Sequence, residues 1–257
     1  MGRTVPAVTR ALDVLELFLD RPSLSAPEIT ERLGLPRTTV HELVTTLTDR
    51  AYLIPTPGQP TRYRLGMRLF QLGSVFAEQL DLAHEAREVA RRVAAHCDET
   101  VHVAVLDGAD VVYIAKVDST HPVRMVSAVG RRLPAHCTGV GKMLLSGLSP
   151  DALDARVPRD RDLPGMTPRS ITSPTRLRAR LERIREAGLS YDECESNEAV
   201  YCIAAPIYDN TGDMVAAMSI STPSLRWNDE LRDQWSELIR RGAAELSQRL
   251  GHRPPSP

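Results

Sequence analysis

Apolar residues in the first fifty positions recur at the helical period. Val8, Leu12, Leu15 and Leu19, flanked by Ala11 and Phe18, predict an amphipathic helix that buries this stripe. Ser25-Ala26-Pro27-Glu28 has the composition of a helix start: a cap serine, a proline in the first turn, and a glutamate three residues on that bonds back to the cap. The helix it opens buries Ile29 and Leu33 and stops at Gly34, where a glycine accepts the left-handed conformation common just past a C-terminus. Beyond Leu35-Pro36, a third helix buries Val40, Leu43, Val44 and Leu47, leaving Arg37, Thr38, Thr39, His41, Glu42 and Thr45 on its polar face. Two helices joined by a short turn, the second with donors and acceptors near its N-terminus, meet the requirement for reading a major groove. Tyr52-Leu53-Ile54 and Arg62-Tyr63-Arg64-Leu65 predict short strands around the tip Pro55-Thr56-Pro57-Gly58-Gln59-Pro60, a wing. Arg62 and Arg64 are two apart, so on a strand they share a face and are placed to meet phosphates.

Helical spacing continues through Leu69, Leu72, Phe76 and Leu80, and a second stripe follows at Leu82, Ala86, Val89, Ala90, Val93, Ala94 and Cys97. No Gly/Ser segment intervenes, so the connection reads as a stiff helix able to transmit a shape change. From Thr100 the period becomes two. Val101, Val103 and Val105 alternate with His102, Ala104 and Leu106, and the turn Asp107-Gly108-Ala109-Asp110 leads into Val111 to Val117. A second hairpin is predicted from Val200 to Ile207 and Met214 to Ser221 around Asp209-Asn210-Thr211-Gly212. Helices are expected at about 139–148, 175–187 and 228–250, the last burying Leu231, Trp235, Leu238 and Leu246. Antiparallel strand pairs with separate helices make the fold class α+β.

With 257 residues, 42% of them hydrophobic and 25% charged, the chain has material for two cores. No apolar run reaches membrane-spanning length, and the start lacks the apolar core of a secretion signal, so a cytoplasmic protein is expected. The four cysteines, none three apart, suggest reduced thiols rather than a disulfide scaffold or a zinc site. The net charge is −1, but between Leu35 and Arg68 five arginines face only Glu42 and Asp49. That local excess is what a DNA-binding face needs.

Ser219 and Ser221 lie on one side of a predicted strand, with Ala217 leaving space beneath, and two aligned hydroxyls suit a carboxylate. Cys202 alternates in phase with Val200 and Ala204 on the neighbouring strand, and Gly139-Val140-Gly141 opens a helix whose first N–H groups favour an anion. Enzyme readings find less support. His136 and Cys137 are adjacent, so on an extended chain they point apart. Gly139 to Met143 lacks the earlier glycine and the Ser/Thr of a phosphate loop, and no metal-ligand or cofactor motif is present.

The segments Ala7-Val8-Thr9-Arg10-Ala11-Leu12-Asp13-Val14-Leu15, Gly34-Leu35-Pro36-Arg37-Thr38-Thr39-Val40-His41, Arg62-Tyr63-Arg64-Leu65-Gly66, Leu133-Pro134-Ala135-His136-Cys137-Thr138-Gly139-Val140-Gly141-Lys142 and Cys202-Ile203-Ala204-Ala205-Pro206-Ile207-Tyr208-Asp209 resemble, in order and separation, the IclR family of transcription regulators. The resemblance implies a winged helix-turn-helix domain over 1–67, a linker helix over 68–81, a GAF-like effector-binding domain over 82–252 and a frayed tail at 253–257. It implies a double-stranded DNA operator with palindromic or repeated half-sites, read by a homodimer that pairs into a dimer of dimers, with repression the usual mode. It also implies an aliphatic or aromatic organic acid held by polar contacts at Gly139, Val140, Asp192, Cys202, Ser219 and Ser221, with apolar lining from Met125, Leu133 and Val200. Three positions depart from the family's pattern: Glu42 replaces a basic residue after the histidine, Cys194 an acidic residue, and Ala199 a glycine. The rival reading is a ligand sensor acting through a protein partner.

Overall fold

The structure, a computed structural model, describes residues 4–19, 21–58, 60–72, 82–123 and 127–253. It divides into two compact units, 1–80 and 81–257.

In the first unit, α1 (Pro6–Glu16), α2 (Ala26–Leu33) and α3 (Arg37–Asp49) pack around Val14, Phe18, Ile29, Val40, Val44 and Leu47. The buried side of α1 differs from the expected one. Val14 is fully buried with Ala11 and Leu15 half-buried beside it, while Val8 and Leu12 are 57% and 53% exposed and Leu19 is exposed beyond the helix. Two apolar stripes lie side by side on this helix, and the core takes the one that continues to Phe18. Ser25 and Glu28 close the start of α2 as expected: the Glu28 carboxylate accepts from both the N–H and the hydroxyl of Ser25, each at 2.7 Å. Gly34 ends α2 in the left-handed region at φ +63.

The wing is β2 (Leu53–Thr56) and β3 (Arg62–Leu65), with the additional strand β1 (Leu24–Ser25) on the far edge of β3. Gly66 seats the wing against the end of α3. Its N–H donates to Tyr52 O at 2.8 Å, and a Cβ there would lie 2.1 Å from Ala51 O. Residues 67–72 are helical, and the remainder of the expected linker helix, 73–81, lies outside the described residues.

The second unit opens with α4 (Leu82–Cys97) and contains an antiparallel sheet of β4 (Thr100–Asp107), β5 (Asp110–Val117), β6 (Arg132–Pro134), β7 (Ser190–Glu193), β8 (Val200–Tyr208) and β9 (Met214–Pro223), in the order β6-β5-β4-β9-β8-β7. Its helices are α5 (Gly139–Ser146), the short α6 (Pro150–Asp154), α7 (Pro174–Ala187) and α8 (Asp229–Arg249). Strand alternation divides the sheet into two faces. On one, α4 and α8 meet at Gly242, whose missing side chain lets Val93 approach beside Met218. The stripe of α8 that does this is Trp235, Ile239, Ala243 and Leu246; Leu231 and Leu238, expected in it, are half-buried. On the other face Ala104, Ala204 and Ala217 keep the sheet low, and α5 and α7 lie over it through Val140, Met143, Leu144, Leu177 and Leu181. No helix among the described residues is long and apolar enough to cross a membrane.

Candidate DNA interface and effector site

On α3 the buried residues Val40, Val44 and Leu47 define the inner side, and Arg37, Thr38, His41 and Thr45 stand exposed across from it. Glu42 is exposed as well, Thr39 is half-buried, and both border α1. Together with Leu43 and Thr46 they line an apolar groove of about 650 Å3 shared with Val8, Leu12 and Leu15 of α1. Five of the six polar positions are therefore exposed, and two of the six, Thr39 and Glu42, border the groove with α1.

The two wing arginines also separate. Arg62 is turned back into the domain: Nε donates to Ser23 Oγ at 3.0 Å, Nη2 to Ser23 O at 2.9 Å, and Nη1 pairs with Glu28 at 3.1 Å. The guanidinium bonded to Ser23 and Glu28 ties β3 to the start of α2, a structural role the expectation that both arginines meet phosphate did not include. The bonds from Ser25, reinforced by Arg62, hold the Glu28 carboxyl down to about 2. Arg64 is exposed.

In the second unit, the register assembles two polar rows on the face beneath α5. One runs Ser190, Ala204, Ser219, His102, Lys116 across β7, β8, β9, β4 and β5. The next runs Asp192, Cys202, Ser221, Thr100. Gly139 sits directly over them, with its Cβ position 3.6 Å from the Cβ atoms of both Cys202 and Ala204 and 3.5 Å from Asp192 N. The N–H of Gly141 donates to Thr138 Oγ1 at 2.9 Å and that of Lys142 to Thr138 O at 3.0 Å. The donors that α5 leaves over are those of Gly139 and Val140. Gly141 is required for a different reason: a Cβ would lie 2.2 Å from Ala135 O in the 3-10 turn Ala135–Cys137.

Leu133, Val140, Val200, Cys202, Ser219, Ser221 and Asp192 are all buried around this face. Met125 lies outside the described residues. Cys202 Sγ donates to Ser221 Oγ at 3.1 Å, and Ser221 Oγ is 3.3 Å from His102 Nδ1. The other ring nitrogen, Nε2, is 2.6 Å from Ser127 Oγ. Burial, assisted by the nearby Lys116 charge, lowers the His102 imidazole to about 3, so the ring is neutral. Burial pushes the Asp192 carboxyl up to about 6, against the opposing pull of Ser196 and Lys142, and drives the Cys202 thiol well above its ordinary range. Among the described residues, Thr100 Oγ1 and Ser190 Oγ have no hydrogen-bond partner.

His102, Lys142 and Glu195 were not among the expected site residues. His102 was visible only as a polar step in the alternation of β4, and its partners come from 25 and 119 residues away. Lys142, fully buried, pairs with Glu195 and not with a phosphate. His136 and Cys137 lie in the 3-10 turn rather than on an extended chain, and both turn to the carbonyl of Pro164, at 2.8 and 3.9 Å. Among the described residues no three His, Cys, Asp or Glu side chains gather as a metal site would require.

Comparison with known proteins adds four results. The family models for the IclR helix-turn-helix domain and for the bacterial transcriptional regulator IclR C-terminal region match residues 7–55 and 75–248. The transcriptional regulator KdgR of Escherichia coli is 30% identical over 249 residues, covering 97% of this chain and 94% of that protein. The structure of the Agobacterium tumefaciens repressor BlcR superimposes with a TM-score of 0.87 at 31% identity, covering 98% of this chain and 100% of that one. An IclR homologue from Microbacterium hydrocarbonoxydans, solved in complex with 4-hydroxybenzoate, matches with a TM-score of 0.59 at 28% identity over 95% of this chain and 99% of that one.

Proposed function

This chain belongs to the IclR family of DNA-binding transcriptional regulators, a family of regulators and not of enzymes, and from that premise we propose that it represses transcription from an operator whose occupancy a small organic acid changes. The head docks α3 in a major groove through Arg37, Thr38, His41 and Thr45, and Arg64 of the wing meets a phosphate. A single head offers little contact area, so a homodimer spans paired half-sites. The exposed Val8 and Leu12 along the α1 groove support self-association of this unit.

The observation that carries the effector reading is the placement of Gly139, which with Val140 supplies the two spare α5 donors, against Asp192 and Cys202 of the row that continues to Ser221. A carboxylate accepts from such N–H groups and from the serine hydroxyls, and Leu133, Val140 and Val200 cover its apolar remainder. Aliphatic and aromatic acids both satisfy this chemistry, and the 4-hydroxybenzoate complex of the relative supports including aromatic ones.

The test is fluorescence anisotropy of the protein on its own upstream DNA in increasing salt, with and without a panel of carboxylates beginning with 4-hydroxybenzoate. One acid is expected to shift affinity 5- to 150-fold, a coupling of ~1–3 kcal/mol. Ser219→Ala with Ser221→Ala should weaken the response to that acid and leave binding without it intact. An effector titration unchanged by the double substitution removes the site assignment. Affinity no greater than for random DNA, with acids still raising thermal stability, would favour the sensor acting through a protein partner.

A further inference from the structure

A second polar cleft lies on the opposite side of the Lys142–Glu195 pair from α5 and has no part in the reading above. It measures about 510 Å3 and is walled by α7, β7 and the segment preceding α7. Arg176, Arg180 and Arg183 occur at i, i+4 and i+7 on α7, so they stand on one side of the helix over about 10 Å. Arg169 faces them from the opposite rim, with its guanidinium 3.4 Å from the Tyr201 hydroxyl. That rim is fixed in place: Thr167 Oγ1 donates to Cys194 O at 2.7 Å and Ser170 Oγ to Glu195 O at 2.7 Å.

The charges in this cleft do not cancel. None of the three α7 arginines takes part in an ion pair among the described residues, although Arg178 of the same helix pairs with Asp154. Among the described residues, the acidic side chains lining the wall are Glu193, whose charge acts on Arg169, and Glu195, which is paired with Lys142. Glu195 is also incomplete. It is 3% exposed, and its second oxygen, Oε2, has no hydrogen-bond partner among the described residues. A buried carboxylate oxygen without a donor is costly, but this one is sealed from the cleft, and what the cleft itself lacks is negative charge.

We propose that this cleft binds a small phosphate monoester, with the phosphate held between the α7 arginines and Arg169. A phosphate monoester brings close to two negative charges and planar-matched oxygens for guanidinium forks, which a monocarboxylate does not. The volume suits a small sugar or polyol phosphate. The site is built from residues other than those assigned to the organic acid, so either assignment can fail without the other.

The full-length protein is titrated with ribose 5-phosphate by calorimetry, with ribose as the ligand that lacks the phosphate. Tryptophan fluorescence gives a second readout, because Trp227 stacks on Tyr201 with ring centroids 5.2 Å apart. Ribose 5-phosphate should bind at one site per chain, and Arg180→Gln with Arg183→Gln should weaken it about ten- to a hundredfold while operator affinity and the carboxylate response stay unchanged. Ribose should not bind measurably. Equal affinities for ribose and ribose 5-phosphate would overturn the phosphate assignment. Absence of binding at millimolar ligand, or binding indifferent to the double substitution, overturns the proposal. Loss of operator affinity in the double variant would also overturn it by making the arginines DNA contacts.

Discussion

Lys142 is the place where a single substitution should reveal most about how the effector domain is held. Its ammonium is completely buried and paired with Glu195, whose side chain is 4% exposed. Lys142→Met keeps most of the stem's volume and removes the charge, leaving the Glu195 carboxylate with neither oxygen compensated, since Oε2 already lacks a partner. Removing one member of a buried pair costs ~3–5 kcal/mol, whereas replacing both members by apolar side chains of similar volume is often neutral or stabilising. For a unit of this size, each kcal/mol moves the melting midpoint by about 2–4 °C, so Lys142→Met should lower it by about 6–20 °C. Lys142→Met with Glu195→Leu should recover most of that loss. Both tryptophans, Trp227 and Trp235, lie in the second unit, so thermal unfolding followed by tryptophan fluorescence reports this unit alone. A fall below 3 °C in the single variant, or a double variant no more stable than the single, would refute the view that the pair's cost lies in stranding one buried charge.

Two further outcomes follow from the geometry. Arg64→Ala should weaken binding to all DNA sequences and reduce the salt slope by about one, whereas Arg62→Ala should lower the melting midpoint of the head through loss of the Ser23 and Glu28 contacts. Salt titrations and melting curves of both variants separate the roles, and a normal melting curve with a reduced slope for Arg62→Ala would return that residue to the phosphate contacts. His102, ordinarily near 6.5 and lowered to about 3 in the fold, binds its proton more readily when unfolded. Its contribution to stability is therefore full above 6.5 and is lost as the pH falls from there toward 3. His102→Gln should flatten urea-unfolding stability across that window; an unaltered pH dependence would mean that His102 is not held neutral by the fold.

The helical and strand periods carried the core of each unit, and the alternation of Val200, Cys202 and Ala204 against Ser219 and Ser221 brought two strands of the candidate site into phase before any contact was known. Periodicity was ambiguous where two apolar stripes are adjacent. On α1, both Val8-Leu12 and Ala11-Val14-Leu15 have helical spacing, and only packing against α2 and α3 selects the second. Strand parity correctly put Arg62 and Arg64 on the same face but says nothing of Ser23 and Glu28, which reach Arg62 from 39 and 34 positions away. The same limit hid His102, whose role depends on Ser127 and Ser221. The strands β1, β6 and β7 and the helix α6, at two to five residues, are too short to show a period.

The brace from Arg62 to Ser23 and Glu28 also affects how the head meets its operator. It joins the tip end of the wing's strand pair, where Arg62 lies opposite Thr56, to the first turn of α2, while Gly66 and Tyr52 join the base of the wing to the end of α3. The paired strands are therefore held at both ends before any DNA arrives. Fixing a long side chain on binding costs about 0.5–1.5 kcal/mol, and here that entropy has been surrendered at folding. The adjustable part of the contact shrinks to the wing tip and the outward side chains of α3, so mismatched half-sites meet a stiff template and cannot recover lost contacts through rearrangement of the wing strands.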